Sequence, residues 1–567
     1  MMESMENKTP AHISIQSPLS PLTPPSSSDS FAAPAKTEPE NLTRPEKKSL
    51  SFKLAYASVM TSAFISTMDT VIVATALPAI ALDLNAHSNS AYWMGSGFLF
   101  AQAVSQPLYG SLSMVFGRKD CLIFAMVLFT VSSLFCALAQ SARWLIIARV
   151  FQGLGAGGIN VTGSIIITDM VPLRERGKYI GILSLASALG LMSGILMGAA
   201  IAGRATWRLI FYINLPLCIP ATAGIYFFLH LSAEPLSIRE KLKRKDWIGI
   251  TVLTGSLISL LYGVTSGGVL HPWNSVSVIL SIAIGVIGVT FFVFYEQKFA
   301  KEPMIPLRIF ASRTAGVSYL SSFCLGFVLW ATQYYLIQYF LTTQRHSLVG
   351  AGVAILPGTI VIPIMAAAGG IFISKLQKFR TVNSVSWMIV TIGFSLMTQL
   401  KIDSSKAMQF GFQIIWGFGS GILFPGRQVA VQAVQTDEDV PMATAMTSFI
   451  TSLGQSFGVG IGGVVFQNQW SKHVQSAVSA GTIPPEYKLS YHQAEQAAAL
   501  IQSFPSKVQI VYRVIMADVI DTLFIVLAGF SAVAFLASLA SKNLSLDRET
   551  KSAQQFRERE KPEREDN

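Results

Sequence analysis

The feature that most constrains this chain is a recurring length. Uninterrupted apolar runs of about 20 residues, the number a helix needs to cross the hydrocarbon core of a bilayer, return about fourteen times. They lie near 54–81, 91–114, 121–140, 144–168, 178–202, 207–231, 246–266, 275–296, 314–341, 349–373, 383–401, 408–434, 444–467 and 519–540. Lipid offers no partner to a bare backbone N–H or C=O, so runs of this kind fold as helices that close their own hydrogen bonds. Composition agrees: 51% of residues are hydrophobic and 13% charged, against roughly a quarter charged in a soluble domain. The expected fold class is an all-α polytopic membrane protein.

Charge sets the orientation. The formal net charge of +11 is gathered in alternate short loops, such as "GRKD" (117–120), "LRERGK" (173–178), "IREKLKRKD" (238–246) and "KLQKFR" (375–380). Loops 82–90 and 267–274 are almost free of Lys and Arg. Basic loops stay in the cytoplasm, so an even span count places both termini there. This distribution argues for a lipid bilayer rather than nucleic acid as the partner. The first 50 residues are Ser/Pro-rich without an apolar core, which reads as a disordered cytoplasmic tail and not a secretory signal. The end of the chain, 541–567, reads as a charged cytoplasmic tail. Cys121, Cys136, Cys218 and Cys324 fall within apolar runs at no metal-ligand spacing, and neither metal nor cofactor is expected.

Small residues divide the chain. In the fifth run Ala186, Gly190, Gly194 and Gly198 recur every four residues, and in the thirteenth Gly454, Gly458 and Gly462 do the same. Such stripes let helices approach closely in lipid. Each lies in the fifth helix of a set of six, so the pattern predicts two related halves, 51–231 and 313–540. Residues 232–312 carry cytoplasmic loops and two inserted central helices. A long extracellular loop is expected at 468–518. Paired six-helix halves around a midplane site are the plan of many secondary transporters.

A few ionisable groups interrupt the apolar runs. Asp69, in "STMDTVIVATALP", occupies a position that costs a charged residue about 2.5–3.5 kcal/mol. Either neighbouring hydroxyls such as Thr67 and Thr70 satisfy it, or it is a carboxyl that gains and loses a proton during transport. Arg149 either snorkels to the headgroups or reaches inward, where it would meet Asp69. Arg427, in "FPGRQVAVQ", either snorkels past a helix break at Pro425-Gly426 or lines a cavity as a cation. Gln102, Gln106, Gln152, Gln428 and Gln432 are further candidates to line a cavity. Asp169, Arg174, Glu175 and Arg176 read as a solvated loop cluster, with a gate salt bridge as the sharper alternative.

These stretches resemble the major facilitator superfamily, and within it the fungal fourteen-span drug:proton antiporters. "MDTVIVATALPAI" (68–80) is similar to that family's first-helix motif and "SQPLYGSLSMVFGRK" (105–119) to its loop 2–3 motif. "RVFQGLGAGG" (149–158), with Gly153 and Gly157, resembles its fourth-helix motif. "ALGLMSGILMGA" (188–199) resembles its fifth-helix antiporter motif, and "TWRLIFYINLP" (206–216) and "SLGQSFGVGIGGVVFQNQ" (452–469) match its later habits. The resemblance implies proton coupling through Asp69 and Arg149 and a cytoplasmic gate motif at Gly110, Gly117, Arg118 and Lys119. Met114 stands where the family usually has an acid, Ile195 where it has Pro, Ala199 where it has Gly, and Thr451 where Arg is frequent.

No Walker-type phosphate loop, zinc-protease or nucleophile-elbow motif occurs, so the chain reads as neither an enzyme nor an ATP-driven pump. The expected function is proton-coupled export of small amphipathic molecules, drugs or a secondary metabolite, by a monomer in the plasma membrane. A vacuolar or plasma-membrane carrier of basic amino acids or siderophores, and a non-transporting sensor on a carrier fold, stay open as alternatives.

Overall fold

The computed structural model describes residues 48–546, apart from 87, 205, 232–245, 269, 301–302, 491–492, 495–496 and 543. Most of the expected N-terminal tail, the C-terminal tail beyond 546 and most of the loop 238–246 therefore lie outside the described residues. Among the described residues fourteen long helices follow one another: α1 (Leu50–Asp83), α2 (Ser88–Phe116), α3 (Arg118–Ala137), α4 (Ala142–Met170) and α5 (Leu173–Arg204). Next come α6 (Asn214–Phe228), α7 (Trp247–Ser266), α8 (Val276–Lys298), α9 (Arg313–Gln338) and α10 (Leu348–Leu376). The last are α11 (Phe379–Met397), α12 (Lys406–Ala433), α13 (Val440–Ser479) and α14 (Ser506–Leu539). Several begin where a short polar side chain takes up an orphan backbone N–H. Ser49 accepts from Phe52, Ser141 from Trp144, Asp246 from Gly249 and Ser405 from Met408.

Each expected run coincides with one of these helices. Eleven of them, and α6 together with the short helix Leu209–Tyr212 that precedes it, are long and apolar enough to cross a membrane by length and composition among the described residues, all but α2 and α11. The two exceptions are diluted by Ser, Thr, Asn, Gln and Gly, some of which bond neighbouring helices, as Gln106 of α2 does with Ser452 and Ser384 of α11 with Ser538. The outside is apolar: on α8 Ile279, Leu280, Ile284, Ile287 and Phe291 are all exposed, a surface suited to acyl chains and not to water. This is a multi-pass membrane protein.

Three boundaries depart from expectation. The connection after α13 is 480–505 rather than 468–518, because α13 continues to Ser479 and α14 begins at Ser506. Ile483, Leu489, Ala497 and Ile501 of that connection are buried, and Tyr512 anchors it by donating to the Tyr487 carbonyl at 2.8 Å. α12 runs unbroken through Pro425-Gly426, where a break was expected. Membrane helices tolerate proline because neighbours re-satisfy the freed carbonyl.

The pairing of helices repeats. In the first half α1 packs on α5 and α6, α4 on α2 and α3, and α3 on α6. In the second α9 packs on α13 and α14, α12 on α10 and α11, and α11 on α14. The glycine stripes make the first contact in each set. A Cβ at Gly190 would strike the Phe64 carbonyl of α1, and one at Gly454 the Phe323 carbonyl of α9. Gly194 and Gly458 sit likewise against Met68 and Phe327, and Gly462 against the Tyr335 ring. Gly198 is buried at the far end of its stripe. The halves meet through α5 against α10 and α2 against α13, while α7 and α8 pair with each other.

Candidate functional site

The site grows from the one acid buried in α1. Asp69 is fully buried, as is Arg149 on α4, and their side chains form an ion pair through Oδ2 and Nη1. Neither reading that kept them apart survives. Arg149 does not snorkel, and the hydroxyls near Asp69 are engaged elsewhere: Thr67 donates to main-chain carbonyls that include Ser187, and Thr70 to that of Ser66. A buried pair of this kind holds only if its remaining hydrogen-bonding sites are also met.

Three neutral residues meet them. Asn214, the first residue of α6, donates through Nδ2 to Asp69 Oδ1 at 2.7 Å and to Ser133 Oγ of α3 at 2.9 Å. Gln152, one turn along α4, accepts from Arg149 Nη1 at 2.8 Å and donates to Ser133 Oγ at 3.2 Å. Arg149 Nε reaches the Met94 carbonyl of α2 at 3.4 Å, and its guanidinium lies 4.1 Å from the Phe98 ring centre. Five elements thus converge on one carboxylate. Asn214 Oδ1 is buried with no hydrogen-bond partner among the described residues, so the network is one donor short of closed. Cys136, free and buried like the other three cysteines, packs its Sγ 3.5 Å from Gln152 Oε1.

Close approach of α4 to α2 makes this possible. A Cβ at Gly153 would strike the Phe98 carbonyl, and one at Gly157 would meet Ser105 and the Gln102 carbonyl. The two glycines therefore carry the helix contact that sets the reach of Arg149.

The gate candidates lie at the opposite end of these helices. Arg118 Nε donates to Asp169 Oδ2 at 3.1 Å with both residues buried. Arg176 turns inward to the carbonyls of Thr168 at 3.2 Å and Val171 at 3.4 Å. Asp169 and Arg176 are thus not solvated, as the loop reading had them, because α3 and α5 close over the end of α4. Gly117 holds φ at 101°, a conformation natural to glycine. A Cβ at Gly110 would lie 2.5 Å from that of Ala445 on α13. Lys119 points away, donating to the Tyr226 carbonyl of α6 at 2.7 Å. Met114 is partly buried against the core.

Across this end the halves touch directly. The Lys178 amide donates to Ser374 Oγ at 3.1 Å, and Ser452 Oγ of α13 donates to Gln106 Oε1 of α2 at 3.0 Å. Gln102 Oε1 and Gln428 Nε2 have no partner among the described residues, while Gln432 donates to Thr444 at 3.0 Å. Arg427 is buried between α9, α12 and α13, not snorkelling, and donates to Ser322 at 3.1 Å and Thr451 at 2.8 Å. A cavity of about 250 Å³ lined by Phe372, Leu376, Val382, Phe418 and Ile422 shares no residue with any of these groups.

At the other end, Asp83 accepts from Trp207 at 2.9 Å and Arg208 at 3.0 Å, and the Trp207 bond first, then that of Arg208, holds its carboxyl below the usual aspartate range. Sequence reasoning missed Asn214 and Ser133. An uncharged amide in "YINLP" was the available signal, since carboxamides in an apolar run must find a partner.

A family model described as Major Facilitator Superfamily matches residues 59–459. An MFS transporter of Phoma sp. is 32% identical over 513 residues, covering 90% of this chain and 85% of the relative. An MFS-type efflux transporter of Aspergillus flavipes is 33% identical over 513 residues, covering 89% and 87%. A human organic anion transporter of known structure aligns with a TM-score of 0.55 at 13% identity over 86% of this chain and 99% of its own, a likeness of fold alone. The chain belongs to the Major Facilitator Superfamily, among its fungal efflux-type transporters.

Proposed function

We propose that this transporter is a proton-coupled antiporter that exports small amphipathic molecules, a drug or a secondary metabolite. In this reading all fourteen helices span the membrane, and the face carrying Arg118, Arg176, Lys375 and Arg380 is cytoplasmic by the positive-inside bias, with both termini. One observation carries the coupling: the buried Asp69–Arg149 pair, held by Asn214 and Gln152 inside the first half. Protonating Asp69 removes the charge that Arg149 balances and leaves a cation seeking another acceptor. Such a change in a packed interior biases the helices around it toward a second arrangement. Binding cargo and binding a proton then become alternatives for one set of helices, which is antiport. The fungal efflux transporters among its relatives support the direction.

The test is flux in proteoliposomes holding the full chain, with the neutral dye Nile red and the acid 2-naphthylacetate as probes. An imposed pH gradient is expected to drive at least one of them against its own gradient, and a protonophore to stop it. Asp69→Asn is expected to abolish gradient-driven movement while leaving probe binding in place. Gradient-driven flux in Asp69→Asn equal to the wild type would overturn the coupling role. A wild type that moves neither probe would overturn the transport reading.

A further inference from the structure

The two halves each bury one arginine on corresponding helices, Arg149 on α4 and Arg427 on α12, and treat them differently. Arg149 has a carboxylate, an amide and a carbonyl around it. Arg427, 7% exposed, has two hydroxyls and no ion pair among the described residues. Those hydroxyls are neutral and already committed as donors, Ser322 to the Ser318 carbonyl and Thr451 to that of Thr447. They offer lone pairs and no charge. Nε of Arg427 has no acceptor among the described residues. A guanidinium does not shed its proton to escape this, and a buried unpaired charge costs several kcal/mol. The second half therefore holds a cation whose counter-charge the described residues do not supply.

Its surroundings indicate what would supply it. The guanidinium lies 5.4 Å from the centre of the Phe424 ring. Next to Ser322 is Phe323, 5.7 Å from Phe457 of α13, and all three rings are only partly buried. On the other side, Thr451 is followed by Ser452, whose hydroxyl closes the contact with Gln106 of the first half. Arg427 is thus bonded to the residue next to the one that makes this contact between the halves. We propose that Arg427 is the anchor for an amphipathic organic acid. The cargo's carboxylate pairs with the guanidinium, bidentate through Nε and Nη, and its apolar body lies along Phe323, Phe424 and Phe457. This names the cargo class for the export reading above and rests on it for direction, though not for binding. The halves then divide the work: α4's arginine is neutralised from within by the acid on α1, α12's from without by the molecule carried.

The test uses the purified full chain in lipid nanodiscs, with no gradient, and two probes of nearly equal shape: 2-naphthylacetate and its uncharged amide, 2-naphthylacetamide. The wild type is expected to bind the acid at least tenfold more tightly than the amide. Arg427→Gln is expected to bind both equally, and Arg427→Lys to keep part of the preference. Thr451→Asp provides a variant that does not strip the charge: it supplies an internal counter-ion to Arg427 and is expected to erase the preference for the acid while the amide still binds. A wild type without preference for the acid, or a preference that survives in Arg427→Gln or Thr451→Asp, overturns the proposal. Because no proton gradient enters, failure of the transport reading shows as absent flux with this preference intact.

Discussion

Asn214 sets the geometry of the Asp69 carboxylate more than any other neutral residue. Its single Nδ2 holds both Asp69 and Ser133, so α1, α3 and α6 are fixed together by one amide. A hydrogen bond to a charged group contributes about 1.5–3 kcal/mol. Asn214→Ala is expected to lose that amount, read as a lower unfolding midpoint in nanodiscs, and to slow gradient-driven flux because the carboxylate is no longer fixed. An unchanged midpoint would mean that water replaces the amide and that the network is looser than the distances imply. The contrast with Asp83 is instructive. That carboxyl is half exposed, and water takes over much of what Trp207 and Arg208 give it, whereas Asp69 is fully buried.

Among elements, the glycine stripes decide how close helices come, and so where side chains on them end up. Gly190 and Gly194 press α5 on to α1 at Phe64 and Met68, the turn that carries Asp69. Gly458 presses α13 on to α9 at Phe327 in the matching place. Gly190→Val and Gly458→Val are each expected to cost about 1–3 kcal/mol through overpacking. Gly190→Val is also expected to impair coupling, because α1 is pushed away from α4. Gly255 in α7 has no atom within 4 Å of its would-be Cβ, and Gly255→Ala is expected to leave stability unchanged or raise it by up to about 1 kcal/mol. Melting the three variants side by side separates a packing role from mere helix propensity. If Gly190→Val melts like Gly255→Ala, the stripe carries no contact.

For the whole molecule, the proposed transport cycle parts the halves where Gly110 meets Ala445, Gln106 meets Ser452 and Lys178 meets Ser374. The four native cysteines are buried, so new thiols at the seam can be addressed alone. Lys178→Cys with Ser374→Cys, bridged by a short bifunctional methanethiosulfonate, is expected to stop flux, and a reductant to restore it. Flux that continues through the bridge would show that the halves need not separate at this seam. The equivalence of α5 on α10 with α13 on α2 gives the two halves one pseudo-symmetric interface, the arrangement from which rocking motions arise.

How much of this was legible depended on how local each cause is. Run length fixed the helices, because in lipid every backbone group must bond within its own segment. Four-residue glycine spacing marked α5 and α13, because a helix presents such positions on one face. Asp69, Arg149 and Arg427 stood out because a charge in an apolar run is conspicuous. The burial of Asp169 and Arg176 was not legible, since a short polar turn reads alike whether it meets water or a neighbouring helix. Nor was Asn214, whose worth depends on a carboxylate 145 residues away. The sequence by itself determined which segments are helices and which residues within them are out of place in lipid. Only the tertiary structure decided which of those misplaced groups meet: Asp69 and Arg149, 80 residues apart, find each other, and Arg427 finds no acid among the described residues. Hydrogen bonds inside a helix are settled between neighbours four residues apart, whereas a buried charge is settled by whatever the packing of other helices brings within about 3 Å.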